Sequence, residues 1–246
     1  MRAFIGTAAL ALLLAGCDDK NEGAATGNGA GGGGAVAVQP AGGDWAQTVA
    51  ATPDGGFVMG NPNAPVKLVE YASLTCPHCA AFSQEASRPL VDDYVKTGRV
   101  SYEFRNFVLN GADIAASLLA RCQGPAPFFQ LAEQLYETQA QWLDSFQKIP
   151  PAEMQRIGTL PQDQQVAAAA AAARLDQFFT ARGLPADKAR AGLADQAQVA
   201  RLVDIAKVGQ ERDGVTGTPT FLINGKVIET NANWAGVKSA LDAALG

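Results

Sequence analysis

Histidine is almost absent: His78 is the only one in 246 residues. A single imidazole excludes a multi-histidine metal centre and argues against a conventional catalytic triad. Basic charge is also short, with 19 Lys and Arg against 24 Asp and Glu and a formal net charge of −5. Phosphate-backbone binding needs a basic stripe, and no Lys/Arg cluster supplies one, so nucleic acid is not expected as a partner. A membrane-spanning run is missing too. The apolar stretch Ala3–Ala15, broken only by Gly6 and Thr7, would make a helix of roughly 20 Å, short of the ~30 Å hydrocarbon core. Cysteine is sparse, with four residues.

What is present is ordered along the chain. Arg2, the short apolar run and the small residues before Cys17 have the layout of an export signal over 1–16. Leu14-Ala15-Gly16-Cys17 resembles a bacterial lipobox, which implies cleavage before Cys17 and its acylation. The mature chain is then expected in the periplasm, anchored to a membrane by lipid on Cys17, where disulfides are permitted. Residues 17–53 read as a linker. Gly23–Gly43 holds nine glycines, and such a composition cannot support a packed core. The folded domain is expected over 54–246.

Within that domain Val66–Ser73 is apolar and β-prone, after the turn signals of "GNPNAP". A helical pattern follows, with Phe82, Ala86, Leu90 and Tyr94 on one face; Pro89 is expected to kink it and Gly98 to end it. Arg99–Phe107 alternates as a strand, giving a β-α-β unit. The next hundred residues read as helical, an insertion at about 110–205. Gln164–Arg182 is its clearest helix, because alanine is the best helix former. Val199, Leu202, Val203 and Ala206 supply an apolar stripe to the last long helix, capped at Gly214. Thr220–Gly225 and Lys226–Thr230 read as a hairpin turning at Asn224-Gly225, before a helix capped by Asn233. The fold class is therefore α/β.

The first helix opens on Cys76-Pro77-His78-Cys79, which admits three readings. A structural zinc site wants four nitrogen or sulfur ligands, and the domain offers only Cys122 beside this motif and its one histidine. A purely structural disulfide gains little, since closing so short a loop contributes about 2 kcal/mol. A redox dithiol explains more. A thiolate at a helix N-terminus meets unpaired N–H groups and the positive end of the dipole, which lowers the pKa of Cys76. His78 is expected to add a hydrogen bond or a positive charge, and Cys79, one turn deeper, is the resolving thiol. Cys122 ends an apolar helix and reads as an inert packing residue.

Strand, CPHC, helix, and a later Gly-Thr-Pro before a strand resemble the thioredoxin superfamily. The Pro-His pair and the large helical insertion resemble its DsbA-like branch, over about 54–246. The resemblance implies a thioredoxin fold with an inserted helical subdomain, and thiol:disulfide oxidoreduction at a Cys76/Cys79 disulfide without a metal or other cofactor. Pro219 matches the family's cis-proline, which binds substrate backbone opposite the disulfide, and Thr218 the redox-tuning residue before it. Glu70 matches a buried acid that moves the proton of the deeper cysteine; a glutamate in an apolar strand is costly unless it has such a use. Exported cysteine-containing proteins are the implied substrates, and a DsbB-like membrane protein the implied redox partner. Threonine at 218, where the best-known oxidase of this branch has valine, keeps an isomerase or reductase as the alternative. A non-catalytic holdase or binding module stands behind both.

Overall fold

The computed structural model describes residues 43–246. The export signal 1–16, Cys17 and most of the expected linker lie outside the described residues. The linker does not reach 53. A 3-10 turn at Trp45–Gln47 leads into strand β1, Val49–Ala51. Trp45 is buried against Gly98 (φ +74), where a Cβ would sit 2.6 Å from the indole Nε1. That contact bridges about fifty residues, so local composition gave no sign of it.

The remaining strands are β2 (Phe57–Gly60), β3 (Val66–Ala72), β4 (Val100–Asn106), β5 (Thr220–Ile223) and β6 (Lys226–Val227). They form one sheet in the order β1-β2-β4-β3-β5-β6. Only β3 and β4 run parallel, joined by helix α1 (Pro77–Leu90) as a β-α-β unit. Helices α2 (Gly111–Arg121), α3 (Phe128–Glu137), α4 (Gln139–Gln147), α5 (Pro151–Gly158), α6 (Gln162–Ala172), α7 (Leu175–Thr180), α8 (Ala186–Ala194) and α9 (Gln196–Glu211) lie between β4 and β5. Helix α10 (Trp234–Leu245) closes the described chain. This is a thioredoxin fold with a helical insertion.

Strand β3 is buried on both faces except at Lys67, because helices cover both sides of the sheet. Side chains alternate across a strand. Val66 and Leu68 therefore join the core of Phe82, Ala86, Leu90, Val237 and Leu241 from α1 and α10. Val69 and Tyr71 meet Ile205 of α9 on the other face. The period places Glu70 on the α1 face. Burying a Leu or Phe side chain here contributes roughly 1.5–3 kcal/mol, and Leu90→Ala would cost about 2–5.

Several local expectations change. Pro89 sits inside α1 without ending it; wider π turns at Val91–Val95 follow, and Gly98 ends the helical run three residues beyond them. The Gln164–Arg182 helix is two helices, broken where Arg174 takes a left-handed φ of 58°. Alanine propensity alone could not show this, since burial of Leu175 and Phe179 decides the direction of α7. On α9 the buried stripe is Leu202, Ile205 and Gly209, while Val203 is exposed. Asn224 and Gly225 both have positive φ, the requirement of a type I′ hairpin, but β6 is only two residues long, Lys226 pairing with Ile223 and Val227 with Leu222.

Candidate active site

Cys76 occupies the N-cap of α1 and Pro77 its first turn, where the missing proline N–H removes no helical bond. The thiol of Cys76 is held down to about 5 from an ordinary 9.0. The main cause is a hydrogen bond from the Cys79 thiol; the Thr218 side chain and the amides of Cys79 and His78 add to it, against the opposing effect of burial. Cys79 is fully buried, and burial drives its thiol far above the ordinary value, with the neighbouring Cys76 and Glu70 charges adding to that. One thiol is thus stabilised as an anion and the other as a neutral group. The His78 side chain is exposed, and its backbone N–H is among the groups that lower the Cys76 thiol.

Cys76 Sγ lies 3.3 Å from the Thr218 carbonyl oxygen. The Thr218–Pro219 peptide is cis, and β5 begins at the next residue. The strand pairing Tyr71↔Thr220 brings this segment beside the entry to the dithiol, although 142 residues separate Cys76 from Thr218.

Glu70 is 2% exposed. Oε2 accepts from the Tyr102 hydroxyl, whereas Oε1 meets no protein donor. Burial pushes the carboxyl up to about 8, against the lowering effect of the Tyr102 bond. A cavity of about 660 Å³ opens between α1 and α3, with Glu70, Tyr102 and Tyr136 among its lining and Ser83, Ser87 and Glu133 in its wall. The acid therefore lies between the deeper cysteine and a space large enough for water.

Three residues at the site had no signal in the sequence. Asp113, in the first turn of α2, is fully buried beneath the loop before Cys76. Gln139, at the start of α4, donates through Nε2 to the carbonyls of Leu74 (2.9 Å) and Cys76 (3.0 Å). The Tyr136 hydroxyl of α3 donates to the Ser73 carbonyl at 3.1 Å. The helical insertion therefore grips the active-site loop from the side. Cys122 lies apart, at the C-cap of α2. Its Sγ is 3.2 Å from the Leu119 carbonyl, and it packs on Gly192, where a Cβ would come within 2.7 Å.

A family model described as Thioredoxin matches residues 52–243. A candidate protein-disulfide oxidoreductase of Rickettsia prowazekii is 28% identical over 195 residues, covering 78% of this chain and 62% of that protein. The chain thus spans less than two thirds of that relative's length. Among solved structures, a protein-disulfide isomerase of Novosphingobium aromaticivorans is 31% identical, with a TM-score of 0.72 over 77% of this chain and 96% of the other. The alpha-DsbA1 structure of Wolbachia pipientis, at 20% identity, shares the fold with a TM-score of 0.62 over 80% and 94% of the two chains.

Proposed function

The chain belongs to the thioredoxin family, and on that premise we propose that it is a DsbA-like thiol:disulfide oxidoreductase that forms disulfides in exported proteins through Cys76 and Cys79. The observation that carries this reading is the opposed ionisation of the two thiols, Cys76 held down to about 5 and Cys79 pushed up. A stabilised Cys76 thiolate stabilises the dithiol form, so the disulfide is the stronger oxidant, by roughly 30 mV for each pKa step of one.

In the proposed cycle a substrate thiolate attacks Cys76 Sγ of the Cys76–Cys79 disulfide. A substrate–Cys76 bond forms, the Cys76–Cys79 bond breaks, and Cys79 leaves with the electron pair. Cys79 is a poor thiolate in its buried place, and Glu70, protonated at neutral pH by its raised pKa, supplies the proton. A second substrate thiolate attacks its own sulfur in the mixed disulfide. Cys76 leaves readily, because a leaving thiol of low pKa leaves fast. Two electrons have moved from substrate to protein. The Thr218–Pro219 segment, against Cys76, is placed to hold extended substrate backbone. A DsbB-like membrane partner would reoxidise the pair, and lipid on Cys17 would keep the domain at the periplasmic face of a membrane.

A second reading is disulfide isomerisation, favoured by Thr218 and by the likeness to the Novosphingobium isomerase. Recovery of a substrate with scrambled disulfides separates these two, and equilibration of the Cys76/Cys79 pair with glutathione separates both from a reductase. An oxidising potential supports the oxidase, whereas a value near thioredoxin's would replace it by a reductase. Loss of the biological role in Cys76→Ala removes the holdase alternative.

A further inference from the structure

Asp113 belongs to the inserted helices, not to the strand-CPHC-helix unit, yet its carboxylate is the hub of the loop that delivers Cys76. Oδ2 accepts from Ser73 Oγ at 2.6 Å and from the Leu109 amide at 3.0 Å, and Oδ1 accepts from the Leu74 amide at 3.0 Å. The Ser73 hydroxyl in turn accepts from the Thr75 amide at 3.1 Å. The Thr75 hydroxyl accepts from Asn110 Nδ2 at 3.1 Å. Asn110 also caps α2, its Oδ1 accepting from the Asp113 amide at 3.0 Å. One buried side chain therefore ties the loop before the dithiol, at Ser73 and Leu74, and the segment before α2, at Leu109, to the start of α2.

None of the donors to Asp113 is a cation. A buried carboxylate bound only by neutral donors keeps its charge effective over several ångströms, because little around it screens the field. Burial, with a smaller contribution from the Cys76 charge, pushes the carboxyl up to about 6 against the lowering effect of the Ser73, Leu109 and Leu74 hydrogen bonds. Tyr136 of α3 feels the charges of Cys79, Glu70, Tyr102 and Asp113 together, and none of these groups carries a positive charge.

We propose that Asp113 is a positioning residue for thiol exchange: it fixes the loop that presents Cys76, and its negative charge opposes the Cys76 thiolate so that the two ionisations are coupled. The inference rests on the proposed redox role of Cys76, but the coupling is an equilibrium property and is measured without turnover. Coupling is reciprocal, so each group must respond to the other.

Two measurements test it. The first is the pH dependence of Cys76 thiolate absorbance in the reduced protein and in Asp113→Asn, which keeps shape and Oδ1 while removing the charge. The parent curve is expected to carry a second, coupled phase near pH 6, where Asp113 ionises against the thiolate, and the variant to follow a single step. A folded variant that keeps the parent's two-phase curve, or a parent with a single step, would overturn the coupling. The second needs no change at Asp113. The carbon resonance of its carboxyl is titrated by NMR in the dithiol and disulfide forms, and the midpoint is expected to be lower in the disulfide, where Cys76 carries no charge. Equal midpoints would overturn the proposal even if Asp113→Asn fails to fold. A glutathione equilibrium far from oxidising, with the coupling intact, would remove the oxidase reading and leave Asp113 in place.

Discussion

The Tyr102 hydroxyl donates to Glu70 Oε2, and among the described residues it is the one donor to a carboxyl whose other oxygen has none. The pair joins the two central strands, Glu70 on β3 and Tyr102 on β4. A half-satisfied acid in so buried a place is held neutral at ordinary pH, as a group that gives up or takes a proton beside Cys79 needs to be.

Folding therefore works against ionised Glu70. With the carboxyl raised from 4.5 to about 8, its contribution to stability is fully present below about pH 4.5 and is lost as pH climbs through 8. Glu70→Gln should remove that dependence. Urea unfolding of the reduced protein at pH 5 and pH 8.5 should show the parent losing a few kcal/mol more than the variant, at about 1.4 kcal/mol per pKa step. Equal losses would mean that Glu70 does not titrate in this range.

Tyr102→Phe deletes the donor and keeps the ring against Phe129. The Tyr102 bond lowers the Glu70 carboxyl, so the variant should titrate at higher pH than the parent. The infrared band of the protonated acid reports this directly. A midpoint that stays or falls would mean that the hydroxyl is no donor to the ionised form.

The Cys76 thiol should react with iodoacetamide along a titration centred near pH 5, while Cys79 stays inert. The Cys79 thiol is the first cause of the low value, so Cys79→Ala should move the midpoint upward. A depressed thiol stabilises the dithiol form fully above its ordinary value near 9, and the effect fades as pH falls through about 5. Unfolding midpoints of dithiol and disulfide forms should therefore shift toward each other between pH 8 and pH 5. A constant gap would contradict the low pKa of Cys76.

Much of this site was legible in the residues. Val66–Ser73 is apolar enough to be a doubly covered strand, and a glutamate within it stands out. Asn224-Gly225 is one of the few pairs that an I′ turn accepts freely. The cap and Pro77 mark the start of α1. What stayed hidden depends on distant contacts. Gln139 reaches Leu74 across 65 residues and Asp113 reaches Leu74 across 39, and a polar residue on a helix looks the same in sequence whether it points to water or to a buried loop. Trp45 likewise earns its place in the fold only through Gly98, so the composition of the preceding glycine run overshadowed it. The break at Arg174 reflects which side chains find a core, which helix propensity does not contain.

Gln139 gives the sharpest test of whether the insertion supports the chemistry or merely covers it. Its side chain is 8% exposed, and both bonds from Nε2 end on the loop at Leu74 and Cys76. The Cys76 carbonyl keeps a second donor in the Ala80 amide, so the loss of Gln139 falls mainly on Leu74. Gln139→Leu retains the bulk and leaves that buried carbonyl unpaired, at about 1–3 kcal/mol. If the insertion is a support, amide exchange at Thr75 and Cys76 should quicken and the alkylation profile of Cys76 should change along with stability. Met154→Ser, on the exposed side of α5, should change none of these. A destabilised Gln139→Leu with parental exchange at the loop would reduce α4 to a cover, because the loop would then hold its shape from Asp113 and Tyr136 alone.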